Sequence, residues 1–172
     1  RFANTLAPRM GRNLVERAVS RSRVVLAAQP LAKSLDAGLS RILDAPHRKP
    51  IAWPVAQMGT VTFESVTFGR PGFRPKTDLR FGSVVPKGGT LLFQAETNVR
   101  RPYQVYWQVV NTGAQARDAR MLRGNIEESH LERGHLSKEE TTRYSGSHSV
   151  ECFIVKDGLC VAQSGPFLIN IQ

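Results

Sequence analysis

Four histidines and two cysteines in this 172-residue sequence are the first side chains to consider for zinc binding or for nucleophilic catalysis. They are His47, His130, His135, His148, Cys152 and Cys160. Zinc sites combine such residues at short, regular spacings. The sequence contains no Cys-x-x-Cys or His-x-x-x-His pair. We therefore predict neither a metal site nor any other cofactor.

His148, Glu151 and Cys152 are close enough in sequence to suggest a nucleophile with its base. We predict a strand here, so side chains alternate between two faces, and His148 and Glu151 point to opposite sides. His148 and Cys152 share a face but lie about 13 Å apart at about 3.3 Å per residue, so neither pair exchanges a proton directly. Phosphate-binding glycine loops, Gly-x-Ser-x-Gly elbows and catalytic carboxylate pairs are also absent from the sequence. We expect no enzyme active site in this chain.

Basic side chains are concentrated at the start of the chain. The sequence has 24 Lys and Arg against 14 Asp and Glu, a net charge of +10. Positions 1–50 hold ten of the basic and three of the acidic residues, a net charge of +7. A positively charged segment attracts phosphate-bearing partners, and its affinity for them falls as the salt concentration rises. Arg17 and Arg21, one helical turn apart, are candidate nucleic-acid contacts; the alternative is a solvated helix face whose apolar stripe docks on another domain.

Residues 1–46 are predicted to be a helical segment that precedes the main domain. Apolar residues recur at three- to four-residue spacing over residues 12–44. Pro30 divides this pattern and is expected in the first turn of a second helix. Residues 47–54 are predicted as a linker, because two prolines disfavour both helix and central strand. Trp53 is the residue expected to anchor this linker to the domain that follows.

Residues 55–172 are predicted to be a β domain. Short β-branched and aromatic runs are separated by Gly, Pro, Asn and Asp, without helical periodicity. Strands are predicted near 59–68, 79–85, 90–97, 103–110, 119–127, 141–146, 148–156, 159–163 and 166–171. We therefore expect a mainly β fold, an immunoglobulin-like antiparallel β-sandwich preceded by a short helical segment. The polar stretch from Glu127 to Arg143 is predicted to be a mobile surface loop.

The two cysteines flank a tight turn. Asp-Gly at 157–158 predicts a type I′ β-hairpin. In that register Cys152 pairs with Gln163, and the side chains of Cys152 and Cys160 point to opposite faces, which forbids a disulfide. The apolar runs are too short for a membrane span or a secretory signal. These features favour a cytoplasmic protein without a membrane partner.

The predicted strand from Tyr103 to Asn111 alternates apolar and polar side chains. Trp107 lies on the apolar side, so we expect it in the core of the sandwich. Tyr106 lies on the other side between two glutamines. It is a candidate for stacking on a nucleic-acid base, and a solvent-facing strand is the alternative.

Two long segments, PYQVYWQVVNTGAQARDARMLRGNIEES and ETTRYSGSHSVECFIVKDGLCVAQSGPFLINI, resemble the adenylyl/guanylyl and SMODS C-terminal sensor domain. The resemblance covers roughly Tyr103 to Ile171. It includes Trp-x-Val-x-Asn-x-Gly, Arg-Gly, Tyr-x-Gly-x-His, Val-Glu-Cys and the Lys-Asp-Gly hairpin. It implies a sensor that regulates a cGAS/DncV-like nucleotidyltransferase, in the same or an associated chain, in bacterial anti-phage signalling. Its ligand would be nucleotide-derived or phage-derived, and residues 12–44 would be the tail of the synthase.

The polar residues shared with this family are the candidate ligand-binding residues. They are Asn111, Arg123, Tyr144, His148 and Glu151. In this hypothesis Arg123 binds phosphate, Tyr144 stacks, and Asn111 recognises a base or ribose edge. In the alternative they form an internal network, in which Asn111 caps a turn and Arg123 pairs with Glu151. A nucleic-acid-binding module and a protein-interaction scaffold are the alternative functions.

Overall fold

The computed structural model describes residues 35–72, 76–129 and 135–172. The chain divides into two units, Arg1–Ala37 and Gly38–Gln172, and the second is described below. Arg17, Arg21, His130 and residues 1–34 of the predicted helical segment lie outside the described residues. Over the described ranges, no helix has both the length and the apolar character needed to cross a membrane.

Two helices and ten strands make up the described chain. The first helix, α1, covers residues 35–43, and the second, α2, is Ala114–Asp118. The strands are β1 Val61–Gly69, β2 Thr77–Asp78, β3 Val84–Val85, β4 Thr90–Thr97, β5 Gln104–Asn111, β6 Ile126–Ser129, β7 Leu136–Thr141, β8 Gly146–Lys156, β9 Leu159–Gln163 and β10 Phe167–Ile171.

The strands form two sheets. A four-stranded sheet has the order β2-β1-β4-β7, and a six-stranded sheet has the order β3-β10-β8-β5-β6, with β9 paired to β8. Neighbouring strands are antiparallel except for β3 and β10, which are parallel. A mainly β fold of two mostly antiparallel sheets, preceded by a short helix, is therefore confirmed. The immunoglobulin-like topology stays a prediction.

An apolar core is shared by the two sheets. It includes Trp107 and Val109 of β5, Phe93 of β4, and Cys152 and Ile154 of β8. Trp107 is 1% exposed, which confirms the predicted core position. Burying side chains of this size stabilises the fold by about 1.5–3 kcal/mol each, which holds the two sheets together.

The outer face of the six-stranded sheet is covered by the chain that precedes β1. Ile42 of α1 is fully buried. Gly38 allows a close approach of α1, because a Cβ there would lie 3.1 Å from a methyl group of Leu168. Residues 44–58, here called the strap, continue across the sheet and include the predicted linker 47–54. The strap pairs with β9, where the Cys160 N–H donates to the Pro54 carbonyl at 2.9 Å.

The secondary structure between β5 and β8 differs from the prediction. The predicted strand 119–127 is wrong except for its last two residues: residues 119–125 form no strand, and β6 begins at Ile126. The helix α2 before them was not predicted, because it is too short to show helical periodicity. The predicted loop 127–143 contains most of β6 and the whole of β7, which pairs with β4. The predicted strand 141–146 is wrong except at its two ends, which are the last residue of β7 and the first residue of β8. β7 buries only Leu136. Edge strands carry charged side chains, so the polar composition of β7 concealed it.

The predicted hairpin is confirmed at its turn, where residues 157 and 158 have φ values of 52° and 78°. The two residue pairs next to the turn, Lys156 with Leu159 and Val155 with Cys160, follow the predicted register. A register shift then places Phe153 opposite Gln163, so the predicted pairing of Cys152 with Gln163 is wrong. Cys152 lies in the core between the sheets, whereas Cys160 is buried outside it. Both are free thiols.

Candidate functional site

Asn111, at the end of β5, holds the segment that follows α2. Its side-chain Nδ2 donates to the Met121 carbonyl at 3.0 Å, and its Oδ1 accepts from the Arg123 N–H at 2.7 Å. Asn111 is 4% exposed. The buried amide of Asn111 is therefore paired with backbone groups of this segment, as expected if Asn111 belongs to an internal network.

Arg123 connects the two sheets at the side where β6 and β7 are their edge strands. Its guanidinium forms an ion pair with Glu140 of β7 and lies 3.5 Å from Glu127 of β6. Lys138 lies 3.8 Å from Glu127 and 3.5 Å from Glu140. Two cations thus face two carboxylates, and these four side chains carry no net formal charge. The alternative pairing of Arg123 with Glu151 is wrong, because Glu151 has another partner.

His148 lies beside these charges on β8, opposite Asn111 of β5. Its Nε2 donates to the Tyr144 carbonyl at 3.0 Å. Burial lowers the pKa of His148 to about 4; the bond to Tyr144 opposes this shift, and the charge of Arg123 adds to it. His148 is therefore neutral at pH 7. The half-buried ring of Tyr144 lies 5.5 Å from the Arg143 guanidinium, a cation–π distance.

Glu151 lies on the outer face of the sheet, beneath the strap. Arg48 of the strap forms a 3.0 Å ion pair with it. Burial raises the pKa of Glu151, and the charge of Arg48 opposes that shift. The neighbouring Gln108 side chain donates to the carbonyls of Lys49 and Gly124 at 2.8 and 2.7 Å. The predicted ligand-binding residues are therefore not all brought together, since Glu151 holds the strap.

Tyr106, the candidate stacking residue, is in contact with the strap. The ring centroids of Tyr106 and Trp53 are 4.3 Å apart, with an interplanar angle of 46°. Burial raises the pKa of Tyr106, and the charge of Glu128 and a hydrogen bond to that carboxylate add to the effect. Trp53 thus has the anchoring position predicted for it.

An open cleft of about 810 Å³ lies at the end of the six-stranded sheet where β5 ends and β8 begins. Its lining residues are Ser40, Arg41, Asp44, Ala45, Pro46, His47, Thr112, Gly113, Arg117, Leu122, Gly146 and Ser147. They come from α1, the strap, α2, the segment after α2, and the chain at the end of β5 and the start of β8. Sequence reasoning missed the cleft because the family motifs contain only a few of these residues, such as Gly113 and Gly146, and no local motif brings the others together with them.

The floor of the cleft is held by hydrogen bonds and a close backbone contact. The Thr112 N–H donates to the Ser147 carbonyl at 2.9 Å. Gly146 has a φ of 135°, and a Cβ there would overlap the Thr112 carbonyl, so only glycine fits. The His47 Nε2 donates to the Asn111 carbonyl at 2.9 Å. The cleft therefore adjoins the network around Asn111.

Metal binding receives no support from the part of the chain that the structure describes. There, no group of three or more His, Cys, Asp or Glu side chains is arranged to hold an ion.

The cleft has a lining of basic, polar and apolar residues. This lining makes it a candidate site for a small organic ligand.

One family model matches residues 41–172, which include the end of α1, the strap and both sheets. The family is described as the adenylyl/guanylyl and SMODS C-terminal sensor domain. The resemblance noted in the sequence covered roughly Tyr103 to Ile171; the match extends it back to the end of α1. Among curated proteins, none matches the chain.

Proposed function

Because the chain belongs to the adenylyl/guanylyl and SMODS C-terminal sensor domain family, we propose that it is the ligand-sensing regulatory part of a nucleotidyltransferase in bacterial anti-phage signalling. In this proposal the domain binds a nucleotide-derived or phage-derived ligand. Binding changes the activity of a synthase in the same or an associated chain. The sensor itself catalyses no reaction.

The observation that supports ligand sensing is the open cleft of about 810 Å³. Small-molecule sites typically have volumes of about 300–1,000 Å³ and a largely apolar lining with a few polar groups. The cleft also includes Ser40 and Arg41 of α1 and Asp44, the first residue of the strap. A ligand in the cleft would therefore contact α1 as well as the strap.

In this proposal the five predicted ligand-binding residues mainly support the cleft and do not line it. Asn111 and Arg123 position the segment that contributes Leu122 to the cleft, and Glu151 holds the strap through Arg48. His148 donates a hydrogen bond to the Tyr144 carbonyl and lies within the electrostatic influence of Arg123. We therefore propose that these residues support the site, with Tyr144 the one whose half-buried ring can also contact a ligand.

The test uses the complete synthase that carries this domain. We expect the small-molecule fraction of phage-infected cells to change its rate of nucleotide joining and to raise the melting temperature of the present chain. The same fraction from uninfected cells is the control. If neither the rate nor the melting temperature responds to any infected-cell fraction, the sensor function is wrong.

Nucleic-acid binding is a second candidate function, supported by the net charge of +7 on residues 1–50. Contacts to a phosphate backbone release counterions, so affinity for RNA or DNA should fall steeply with salt. A titration across a salt series tests this. Absence of binding, or binding that salt does not weaken, would eliminate this candidate.

A further inference from the structure

We propose that the cleft binds a phosphate-bearing small molecule of nucleotide size, with Arg117 at its phosphate and Pro46 and Leu122 against its base. This inference rests on the proposed sensor function and names the site and the ligand class. The residues that carry it come from three parts of the chain: the strap, α2 and the segment after α2.

Arg117 is the residue that indicates an anionic group. It lies in the last turn of α2 and is exposed. Its guanidinium has no hydrogen-bond or ion-pair partner among the described residues, whereas Arg48 and Arg123 are both held by carboxylates. A guanidinium presents several donors in one plane and binds phosphate oxygens in pairs. An arginine on a cleft wall with its donors uncommitted is therefore suited to phosphate.

The charged side chains of the cleft favour an anionic ligand that also carries hydrogen-bond donors. Two arginines, Arg41 and Arg117, and a single aspartate, Asp44, contribute to the lining. The formal charge of these three side chains is positive, which attracts phosphate. The Asp44 carboxylate accepts hydrogen bonds but repels anions, so it fits an N–H or O–H group elsewhere on the same ligand. A nucleotide carries its N–H and O–H groups on the base and ribose, away from the phosphate, whereas the O–H groups of inorganic phosphate lie on the anion itself.

The apolar part of the lining could contact the base of such a ligand. Ala45, Pro46 and Leu122 contribute apolar surface. Leu122 is 36% exposed, and the adjacent Met121 is 46% exposed. Covering such side chains with a planar ring removes apolar area from water. A nucleoside base supplies that ring, and the volume of about 810 Å³ accommodates a nucleotide.

The architecture also keeps these groups in place. The segment that contains Leu122 is bonded on both sides of that residue to the Asn111 side chain, through Met121 and Arg123. The strap is bonded to the same strand through His47. Groups held in this way lose little conformational entropy when they bind, which favours affinity for a small ligand.

Calorimetric titration of the purified chain with ATP and GTP tests the proposal, with adenosine and inorganic phosphate as the partial ligands. We expect a nucleotide to bind more tightly than either partial ligand. Arg117→Ala should weaken nucleotide binding by about tenfold or more, the usual effect of losing a charge-assisted hydrogen bond. Leu122→Ser should weaken nucleotide binding but leave phosphate binding unchanged.

Arg100→Ala is the matched control. Arg100 is exposed, and its carbonyl accepts from Lys156 at the far end of β8 from the cleft. Arg100→Ala lowers the net charge by one, as Arg117→Ala does, but it removes no side chain that lines the cleft. The two variants should therefore differ in nucleotide affinity, and urea unfolding should show both to be folded.

These experiments test two hypotheses separately: that the cleft binds a nucleotide, and that the domain is a sensor. Equal nucleotide affinity of Arg117→Ala and the unaltered chain, or phosphate binding as tight as nucleotide binding, overturns the assignment of the cleft. Failure of both nucleotides to bind at millimolar concentration overturns the ligand class. In each case the sensor function stands if an infected-cell fraction still changes synthase activity, and it fails only if that response is also absent.

Discussion

Arg48 and Glu151 lie 103 positions apart in the sequence and form a 3.0 Å ion pair on the outer face of the six-stranded sheet. The carboxylate side chain is only 6% exposed. This pair, the Gln108 hydrogen bonds and the contact of Trp53 with Tyr106 fasten the strap along its length. Because residues 44–47 of the strap line the cleft, the strap links the stability of the fold to the proposed site.

Replacing Arg48 by Met should destabilise the protein by about 2–3 kcal/mol at pH 7, because a buried carboxylate loses its partner charge. Urea unfolding monitored by tryptophan fluorescence measures this change. The double variant Arg48→Met, Glu151→Gln should recover part of the loss, since no unpaired charge remains. If Arg48→Met alone is as stable as the unaltered protein, the pair does not hold the strap.

Gly124→Ala should cost about 2–4 kcal/mol, because the added Cβ would overlap the His47 carbonyl and force the strap away from the sheet. Gly88→Ala is the matched control: Gly88 has a φ of 82° and open space around a Cβ. That change should cost only about 1 kcal/mol, from backbone strain. Chemical denaturation of both variants gives the comparison, and equal losses would contradict the close contact of strap and sheet.

His148 should make the stability of the protein depend on pH between 6.5 and about 4. Burial lowers its pKa from 6.5 to about 4, so over this range the unfolded chain binds a proton that the folded protein does not. The contribution of the neutral ring is thus complete above pH 6.5 and is lost as pH falls through about 4. By linkage it amounts to at most about 3 kcal/mol.

The variant His148→Gln isolates this effect, because glutamine has an amide that can donate to the Tyr144 carbonyl but does not titrate. The difference in unfolding free energy between the two proteins should change across this pH range. Glu151 has a raised pKa and acts in the opposite direction, but it is present in both proteins and cancels. A difference that is constant with pH would show that His148 titrates normally.

Arg123→Gln should raise the pKa of His148 above about 4, because the charge of Arg123 is one of the causes that lower it. The pKa should stay below 6.5, since burial is the largest cause and remains. NMR titration of the His148 ring protons measures the shift. Arg100→Gln should leave that pKa unchanged, because the Arg100 carbonyl is bonded to Lys156 at the other end of β8 from His148. An unchanged value in Arg123→Gln would refute the electrostatic coupling.

Strands with one apolar face could be predicted from the sequence because their pattern is local. β4 and β9 begin and end at the predicted residues, and Trp107 is buried as its alternation indicates. β7 could not be predicted in this way. It buries a single leucine at the edge of its sheet, and its pairing with β4 depends on residues more than 40 positions earlier.

The candidate site was predictable only in part. The polar residues singled out in the sequence do make specific polar contacts, but their partners were not predictable. Arg123 pairs with Glu140 rather than Glu151, because only Glu140 lies on the facing edge strand. The partner of Glu151 comes from residues predicted to be a linker.

By itself the sequence determined the mainly β architecture, the hairpin at 157–158 and the resemblance to a sensor family, because alternation, turn residues and motifs depend on neighbouring positions. Only the tertiary structure decided where the strap lies and where the cleft opens. Both arise where α1, α2 and the ends of β5 and β8 meet. Segments so far apart in sequence come together through burial and hydrogen bonding across the whole domain, which no local pattern encodes.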